Sequence, residues 1–515
     1  MKGVLPFAVL LAILLLGPIL LHPHAGRSGE QADETLVIIT PHNEATRYEF
    51  ARAFREAHFA KTGRRVFVDW RTAGGTSEIA RYIAAQYLGS FRDYWTRTLH
   101  REWTAQCASF DDPKVAAGAS ARSAFVESNA GCGIDLFFGG GSFDYMQMAS
   151  AGRLVDCGVI AAHPELFGPQ QIPQTLGGEA LWDPKGRWVG ACLGAFGICY
   201  NTDSLARLGI ASPPAQWADL ASPHFANELA LADPTQSGSV AKAFEMILQQ
   251  QIAEAGGNVA QGWSRGFQLI QRISANARYF TDEATEIPYS VQAGNAAAGM
   301  CIDFYGRFES EAVRRPDGTS RLVYVTPAGG SSTGADSIGL FRGAPHPDLA
   351  REFIDFVISQ EGQKLWCFRA GTPGGPTQYT LRRLPIRPDL YTPQWRRYEA
   401  DPDVDPYAPG TGFVYQARWT GSLFGVISFV IRTAFIDPHD ELKEAWQALI
   451  EAGFPPEATR VFSDMGAVDF APASGPIREA LRSPDKLDEV ALARELDEHF
   501  RDQYRRAASL ARLGL

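Results

Sequence analysis

The sequence predicts an α/β fold with a parallel sheet, arranged as two lobes and followed by a mostly helical C-terminal extension. The first observation is an alternation of strand and helix patterns at the start of the chain, which is typical of a parallel sheet. The second is the return of this order further along the chain. The third is a change near residue 385, where a proline-rich stretch leads into mostly helical sequence.

The opening elements show the alternation most clearly. A short apolar strand is expected at 36–39, and apolar side chains spaced by four over 50–58 predict a helix. Apolar residues alternate over 66–70, as they do in a half-buried strand. The glycine-rich turn at 74–77 then leads into a second helix. Strand, helix, strand and helix form the beginning of an α/β unit.

The later elements repeat this succession after an aromatic-rich insertion at 89–133, which is expected to be helical. Apolar runs that end at glycine or polar residues predict buried strands, and four-residue spacing predicts the helices that follow. The expected strands lie at 134–138, 188–200, 229–232, 297–304 and 337–341, and the expected helices begin at 240 and at 347.

The first thirty residues differ from the rest of the chain. Lys2 precedes an apolar run from Val4 to Leu21, which is typical of a signal peptide or a membrane anchor. No cysteine follows the run, so a lipid anchor has no attachment point. No later segment is expected to span a membrane. We therefore expect export, with residues 1–30 either cleaved or retained as a tether.

Composition and charge exclude several classes of protein. Hydrophobic residues make up 45% of the chain and charged residues 21%, which is typical of a folded globular protein. The net charge of −10 argues against a nucleic-acid partner, because such a partner requires a basic face. The seven cysteines contain no C-x-x-C pair. In an exported protein, the best candidate for a disulfide is Cys107 with Cys132.

Three turns place glycine and hydroxyl residues where a helix is expected to begin. The first backbone N–H groups of a helix lack partners within the helix, and the helix dipole adds partial positive charge there. Such turns can bind a carboxylate or phosphate, although a Ser or Thr side chain that caps the helix explains them equally well. The candidate anion-binding residues are Gly75, Thr76, Ser77, Gly141, Ser142, Ser237, Gly238 and Ser239.

A second group of polar residues follows predicted strands. His42 comes after the first strand, and Asp303 and Tyr305 end the strand that begins at 297. In an extended segment Asp303 and Tyr305 would point to the same side, because strand side chains alternate. The three residues could supply a partial set of ligands for a hard cation. The alternative is a polar strand end that hydrogen-bonds to its neighbours.

Aromatic side chains near the expected cleft offer a different ligand. A flat organic cation could lie between aromatic rings, since cation–π contacts contribute roughly 0.5–2 kcal/mol each. Ordinary aromatic packing is the competing interpretation. The residues concerned are Phe143, Tyr145, Tyr200 and Tyr305.

Enzyme signatures were sought, and one weak match was found. Residues 330–334 fit G-x-S-x-G with Ser332 at its centre. A nucleophile elbow follows a strand and opens a helix, whereas these residues lie in a loop that leads into a strand. The H-E-x-x-H, Walker A and G-x-G-x-x-G patterns are absent from the sequence. An exported hydrolase that uses Ser332 is therefore the rival hypothesis, and non-enzymatic binding is favoured.

The order of these motifs resembles the family 1 extracellular solute-binding proteins of ABC importers, which include binders of ferric iron, thiamine and polyamines. The most specific stretch is Asp-Pro-Thr-Gln-Ser-Gly-Ser at 233–239, followed by Ala-Asp-Ser-Ile-Gly-Leu at 335–340. The resemblance covers roughly residues 35–375. The other stretches that carry it lie at 37–42, 75–77, 135–138, 196–201 and 359–362.

The resemblance implies a type II periplasmic-binding-protein fold that holds a ligand between two lobes and catalyses nothing. It also implies an ABC permease and ATPase as partners, a monomeric protein and a periplasmic location. The implied units are lobe 1 at 35–194 with the 89–133 insertion, lobe 2 at 195–335, a return to lobe 1 at 336–385, and the extension at 386–515.

The resemblance leaves the ligand open. Ferric-iron members place a metal-binding histidine near His42 and two adjacent tyrosines where this chain has Phe304 and Tyr305, so one phenolate is missing. Ferric iron with a bound anion, a thiamine-type compound and a phosphonate-like anion all stay as candidates. A membrane-tethered sensor of ligand occupancy is a further alternative to transport.

Overall fold

The computed structural model describes residues 32–114, 120–408, 413–483 and 485–515. The export segment expected at 1–30 lies outside the described residues. Within them, strands and helices alternate through the first two thirds of the chain, and helices dominate the remainder. The observed architecture is therefore the predicted α/β fold with a largely helical C-terminal region.

The strands are labelled in chain order. They are β1 Glu34–Ile39, β2 Val66–Arg71, β3 Leu136–Gly141, β4 Leu154–Val155, β5 Thr175–Leu176, β6 Glu179–Ala180, β7 Val189–Asn201, β8 Leu229–Ala232, β9 Ala277–Thr281, β10 Ala298–Ile302, β11 Leu322–Val325, β12 Thr333–Phe341 and β13 Leu384–Pro385.

The α-helices of six or more residues are labelled in the same way, and shorter helical turns carry no label. They are α1 Glu44–Thr62, α2 Thr76–Asp93, α3 Ser120–Glu127, α4 Ser142–Ala151, α5 Thr202–Arg207, α6 Gly238–Glu254, α7 Val259–Ala275, α8 Glu286–Ala293, α9 Asp303–Ala312, α10 Pro347–Ile358, α11 Gln360–Cys367, α12 Phe424–Ile431, α13 His439–Ala452, α14 Pro456–Phe462 and α15 Lys486–Arg512.

One long strand joins two halves of the sheet, whose order is β2-β1-β3-β12-β7-β10-β8-β9. The first half of β7 pairs antiparallel with β12, and its second half pairs antiparallel with β10. The boundaries expected at 194/195 and 335/336 fall inside β7 and β12. Crossing strands of this kind are the elements about which two lobes can hinge, and the division into domains stays a prediction.

The two halves of the sheet carry separate hydrophobic cores. On the first half, the apolar stripe of α1 packs with Phe138, Phe353 and Trp366. The insertion packs in a second cluster on this half, in which Phe91 and Phe110 stack. On the second half, helices α6 and α7 pack against β8 and β10.

The C-terminal extension packs mainly on the second half. From Leu423 onward, its buried hydrophobic residues belong to the same core as those of α6 and α7. Trp446 donates a hydrogen bond from Nε1 to Oδ1 of Asn276 at 2.7 Å, and Trp263 donates from Nε1 to the carbonyl of Val468 at 3.0 Å. The extension is therefore part of the second lobe's core.

One helical stretch of the extension, Ala417–Ile436, is long and apolar enough to cross a membrane, with 67% of its apolar window buried inside the protein. The expectation that no later segment has this character is therefore wrong. A core helix of a soluble protein has the same length and composition when its apolar surface packs against neighbours.

Two other expectations are corrected. Residue Asp303 does not end an extended strand, because β10 ends at Ile302 and Asp303 is the first residue of α9. Alternation therefore cannot bring Asp303 and Tyr305 to one side. Cys107 and Cys132 are free thiols, so the expected disulfide is absent, and all seven cysteines are unpaired in the described residues.

Candidate functional site

A cleft lies between the two halves of the sheet and is divided into two compartments. The first compartment has a volume of about 390 Å³ and lies between His42, Arg47 and Gly75 on one side and Ser237 and Tyr305 on the other. The second has a volume of about 430 Å³ and lies beyond α4 and the start of α6. The two compartments share the wall residues Ser239, Ile302, Phe304 and Asp336.

Three helices begin at this cleft, as the glycine-rich turns predicted. The N-cap residues of α2, α4 and α6 are Gly75, Gly141 and Ser237, and none of the three makes a side-chain capping hydrogen bond. By contrast, Asn43 accepts a hydrogen bond from the amide of Thr46 and caps α1. The competing explanation, capping by Ser or Thr side chains, therefore does not apply to these turns.

Close approach at the cleft requires glycine at the end of β3. Gly140 has a φ of +97°, and a Cβ there would lie 2.6 Å from Cγ2 of Thr76. Gly139 has a φ of +100°, and its Cβ would lie 2.7 Å from Cε1 of His42. Any larger residue would separate the end of β3 from α2 and from His42, because both the space and the backbone conformation exclude it.

The lobes touch where α2 meets the turn before α6. Arg81 of α2 donates from Nη1 to the carbonyl of Thr235 at 3.1 Å and from Nη2 to Oε1 of Gln236 at 3.0 Å. A Cβ at Gly75 would lie 2.9 Å from the carbonyl oxygen of Gln236. The structure therefore shows the two sides of the cleft in contact.

A buried charged cluster lines the first compartment. Nε2 of His42 lies 3.0 Å from Oδ2 of Asp336, and Nη1 of Arg383 donates to the same oxygen at 2.5 Å. The backbone N–H of Gly140 donates to the other oxygen of Asp336. The guanidinium of Arg383 also lies 3.6 Å from the ring centroid of Phe304. The cluster joins β12, the end of β3 and the segment before β13.

Burial and these contacts fix the protonation states of the cluster. Burial and the Arg383 charge lower the pKa of His42 from 6.5 to about 4, so the imidazole is neutral at pH 7. Burial alone would raise the pKa of Asp336, but the hydrogen bond from His42 and the Arg383 charge lower it to about 2. Asp336 is therefore ionised and its charge is balanced by Arg383.

Arg47 brings a positive charge to the first compartment. It lies on the first turns of α1, and its Nε is buried without a hydrogen-bond partner among the described residues. Its charge contributes to the low pKa of His42. A buried guanidinium donor without an acceptor is costly, and a bound anion would satisfy it.

The opposite wall of the first compartment is acidic. Glu283, Glu309 and Tyr289 line it, and burial raises the pKa of Glu309. Tyr289 and Glu309 are hydrogen-bonded to each other. One side of this compartment therefore attracts an anion, whereas the other side accepts hydroxyl groups and repels a second negative charge.

The second compartment contains a lysine whose charge is already balanced. Nζ of Lys242 lies 2.8 Å from Oε1 of Glu179 and 2.8 Å from Oε2 of Glu245. The hydroxyl of Tyr415 donates to Glu245 at 2.9 Å, and the Lys242 ammonium lies 3.6 Å from the Tyr415 ring centroid. The remaining wall is mostly apolar, with Phe143 and other aromatic rings.

The structure brings most of the predicted site residues to this cleft. Residue Ser77 lies on the adjoining surface by Asp144 and Phe143. Asp303 lines neither compartment, because it is buried and accepts a hydrogen bond from Nη2 of Arg307 at 2.5 Å. The predicted residues that line the compartments are His42, Gly75, Thr76, Gly141, Ser142, Ser237, Gly238, Ser239 and Tyr305.

The four aromatic residues do not form the expected sandwich for a flat cation. Tyr145 is fully buried, and its hydroxyl donates to the carbonyl of Ser337 at 2.7 Å. Phe143 lies in the second compartment and Tyr305 in the first, while Tyr200 lines neither. Ordinary packing explains Tyr145, because its ring stacks on a neighbouring core residue.

The structure disfavours the metal-binding and hydrolase hypotheses. Among the described residues, no group of three or more His, Cys, Asp or Glu could hold a metal ion. Burial raises the pKa of Tyr305, which disfavours the phenolate that ferric iron prefers. Ser332 is buried and donates to Oε1 of Glu179 at 2.7 Å, in a loop before β12 rather than on a strand-to-helix turn.

The sequence interpretation missed the charged residues of the site. Asp336 lies within the Ala-Asp-Ser-Ile-Gly-Leu motif at 335–340, but the motif alone indicates no role for it in the site. Arg47 lies one turn into α1, five residues after His42, and this spacing is the only local signal for it. Arg383 and Lys242 reach the cleft through long-range packing, which no local pattern predicts.

Two halves of a sheet joined by crossing strands, with a polar cleft between them, define a two-lobed binding protein. Residues 134–399 match the family model described as bacterial extracellular solute-binding protein. The chain belongs to this family, whose members bind solutes outside the cytoplasm and are not enzymes.

Curated relatives match part of the chain. An uncharacterized protein of Haemophilus influenzae is 27% identical over 235 residues, which is 45% of this chain and 60% of that protein. The phosphoglycerate transport regulatory protein PgtC of Salmonella typhimurium is 25% identical over 177 residues, 34% of this chain and 40% of PgtC. The matches span less than two thirds of the length of either relative.

Solved structures similar to this chain include a periplasmic binding protein and an iron-bound protein. AfuA of Actinobacillus pleuropneumoniae with fructose-6-phosphate has a TM-score of 0.45 and 19% identity, covering 65% of this chain and 82% of AfuA. Iron-bound HitA of Pseudomonas aeruginosa has a TM-score of 0.46 and 16% identity, covering 76% of this chain and 98% of HitA.

Proposed function

We propose that this chain is the exported binding component of an ABC importer and that its cleft captures a small organic anion with a phosphate-type head. The single observation that carries the proposal is the convergence of Arg47 and two helix N-termini, at Gly75 and Ser237, on the first compartment. An ABC permease and ATPase are the proposed partners, and the protein is proposed to act as a monomer.

Backbone donors at the starts of α2 and α6 face the first compartment. The first N–H groups of a helix have no partners within it, and the N-cap residues Gly75 and Ser237 supply no side-chain acceptor. At the start of α2, Oε2 of Glu78 accepts a hydrogen bond from the N–H of Gly75 at 3.2 Å. The dipoles of both helices favour negative charge at this point. Arg47 adds a full positive charge and a buried Nε that lacks an acceptor. A phosphate or carboxylate would satisfy all three groups at once.

The same charges disfavour the cationic ligands that the sequence left open. Ferric iron or a thiamine-type cation in the first compartment would lie near Arg47 and Arg383. The acidic wall of Glu283 and Glu309 disfavours a second anionic group on the far side of the ligand. We therefore favour a solute with one anionic head and an otherwise uncharged body.

The relatives are consistent with this ligand class without naming the ligand. PgtC is described as a phosphoglycerate transport regulatory protein, and its name points to phosphorylated compounds. Because PgtC is described as a regulatory protein, a membrane-tethered sensor of ligand occupancy stays a prediction for this chain. A hydrolase that uses Ser332 is not proposed, because the hydroxyl is buried against Glu179.

Titration calorimetry of the purified protein tests the proposal. The panel comprises inorganic phosphate, glycerol 3-phosphate, phenyl phosphate, thiamine and ferric citrate. We expect phosphate esters to bind and thiamine and ferric citrate not to bind. Arg47→Ala should weaken binding of the best ester by roughly tenfold to a hundredfold, because a charge-assisted hydrogen bond contributes about 1.5–3 kcal/mol.

The matched control is Arg55→Ala, which removes an exposed arginine of the same helix whose Nε bonds a backbone carbonyl. It should leave binding unchanged. Tight binding of thiamine or ferric citrate, or an Arg47→Ala variant that binds phosphate esters as well as the parent does, would contradict the proposal.

A further inference from the structure

The second compartment lies beside the proposed anion site and has a different chemical character. It shares Ser239, Ile302 and Phe304 with the first compartment, so a solute bound in one would touch the wall of the other. Its volume of about 430 Å³ exceeds the 390 Å³ of the first compartment. The space is therefore large enough to hold the greater part of a small solute.

The walls of this compartment are mainly apolar. Phe143 of α4 and Phe424 of α12 pack with their ring centroids 4.3 Å apart, and both line the space. Phe196 of β7 and Phe304 of α9 line it from the crossing strands and the second lobe. Aromatic walls of this kind favour burial of an apolar group.

The charges of the second compartment cannot hold an anion. Lys242 is balanced by Glu179 and Glu245, each at 2.8 Å. Glu245 is further bonded by the hydroxyls of Tyr415 and Thr420. Burial raises the pKa of Asp144 to about 7, so this carboxyl is only partly charged at neutral pH. Among the described residues that line this compartment, an anionic group would meet no free cation.

The C-terminal extension builds one side of this compartment. Tyr415, Ala417 and Phe424 lie beyond residue 399, where the match to the family ends. The N–H of Tyr415 donates to the carbonyl of Gly177 at 2.8 Å, which fixes the segment against the β5–β6 hairpin. The side chain of Gln249 in α6 hydrogen-bonds the backbone of Gln416 at 2.9 and 3.0 Å.

We infer that the second compartment binds the uncharged apolar body of the solute whose anionic head occupies the first compartment. The solute class is an amphipathic organic compound with a single phosphate-type head, such as a phosphate ester of an aromatic or branched alcohol. The extension selects this class, because Tyr415, Ala417 and Phe424 supply walls that the family region lacks. The inference rests on the proposed function for the position of the head.

Calorimetry with three probes of similar head and different body tests the inference. The probes are phenyl phosphate, glycerol 3-phosphate and phosphoethanolamine. We expect phenyl phosphate to bind at least about tenfold more tightly than the other two, because only its body is apolar. The variant Ala417→Trp, at an exposed position on the compartment wall, should weaken phenyl phosphate about tenfold and glycerol 3-phosphate less than about twofold.

The matched control is Ala471→Trp, an exposed alanine of the extension that lines neither compartment. It should leave all three affinities unchanged. If Ala417→Trp does not fold, Phe143→Ala replaces it. This variant should again lose affinity mainly for phenyl phosphate. Selective loss of phenyl phosphate supports the inference.

The outcomes separate this inference from the proposed function. Equal binding of phenyl phosphate and glycerol 3-phosphate, both weakened by Arg47→Ala, overturns the inference and leaves the anion site standing. Preference for phosphoethanolamine also overturns it, because the second compartment would then hold a cation. Absence of binding by every phosphate ester overturns the proposed function itself.

Discussion

Nε2 of His42 lies 3.0 Å from Oδ2 of Asp336, although 294 residues separate the two in the chain. His42 follows β1 and Asp336 lies on β12, so this contact ties the first strand of the fold to the strand that returns from the second lobe. Arg383 completes the cluster by donating to the same carboxylate oxygen at 2.5 Å. The wall of the proposed anion site therefore depends on three distant segments.

Asp336→Asn should destabilise the protein by about 3 kcal/mol. The substitution leaves the buried Arg383 guanidinium without a counter-charge, and removal of one partner of a buried ion pair typically costs about 3–5 kcal/mol. Urea unfolding followed by tryptophan fluorescence measures the change. The control is Asp348→Asn, whose side chain is 100% exposed in its pair with Arg351 and should change stability by less than about 0.5 kcal/mol.

Protonation of buried His42 should lower the unfolding free energy as the pH drops from 6.5 towards 4. Burial lowers the pKa values of both His42 and His439 from 6.5 to about 4, so the unfolded chain binds protons in this range and the folded protein does not. For His42 this shift corresponds to about 3 kcal/mol. His42→Gln should therefore remove this loss, so that its unfolding free energy relative to that of the parent rises as the pH drops from 6.5 towards 4.

The measurement is urea unfolding at intervals between pH 4 and pH 7.5. His499→Gln is the control, because His499 lies on the C-terminal helix, away from the cleft. A slope for His42→Gln as steep as that of the parent would show that His42 does not titrate as its burial predicts.

Arg81→Ala should favour the open arrangement of the lobes. The side chain bridges α2 to Thr235 and Gln236, and exposed interactions of this kind contribute about 0.2–1 kcal/mol. Affinity for a phosphate ester should fall about twofold to fivefold. Small-angle scattering should give a larger radius of gyration for ligand-free Arg81→Ala than for Arg92→Ala, a nearby exposed arginine of α2. Identical radii would argue against the bridge.

Gly75→Ala should weaken binding without unfolding the protein. Its backbone has a φ of −71°, which alanine adopts freely, but the new Cβ would lie 2.9 Å from the carbonyl oxygen of Gln236 across the cleft. The contact therefore obstructs lobe closure rather than folding. We expect an affinity loss of about tenfold or more with a stability change under about 1 kcal/mol. Gly89→Ala, on the same helix with open space around it, is the control.

Trp446→Ala should destabilise the second lobe and the extension together. Trp446 is 4% exposed, and loss of a buried tryptophan side chain typically costs about 3–5 kcal/mol. It also removes the hydrogen bond to Asn276 at 2.7 Å. Since both parts share one core, urea unfolding should show one shifted transition. The control is Val490→Ala, at a position 65% exposed, which should leave the unfolding transition unchanged. A separate early unfolding transition for the extension would contradict the shared core.

Local sequence patterns predicted the elements that carry the cleft. The helix at Glu44–Thr62 has its predicted buried face of Phe50, Phe54 and His58, and it ends before Gly63. The helix at Pro347–Ile358 begins at its predicted residue. These features were readable because periodicity and capping depend on neighbours within a few residues.

Near Asp303 the local sequence signals conflict, and the predicted extension of the strand beyond Ile302 is wrong. The apolar run that ends at Phe304 favours a strand, but Asp303 in the first turn and Arg307 four residues later favour a helix. The helix forms, and the Asp303–Arg307 pair is buried within it. The expected cation ligands were His42, Asp303 and Tyr305. This expectation required Asp303 and Tyr305 to alternate along a strand, and the helix removes that geometry.

The sequence by itself determined the alternation of strands and helices, the three glycine-rich turns at helix starts and the membership of a binding-protein family. Only the tertiary structure decided which charges meet at the cleft. Arg47, Asp336 and Arg383 come together because distant strands pair in one sheet, and Tyr415 reaches the second compartment because the extension shares a core with α6 and α7. Such contacts depend on long-range packing, which residue spacing along the chain does not encode.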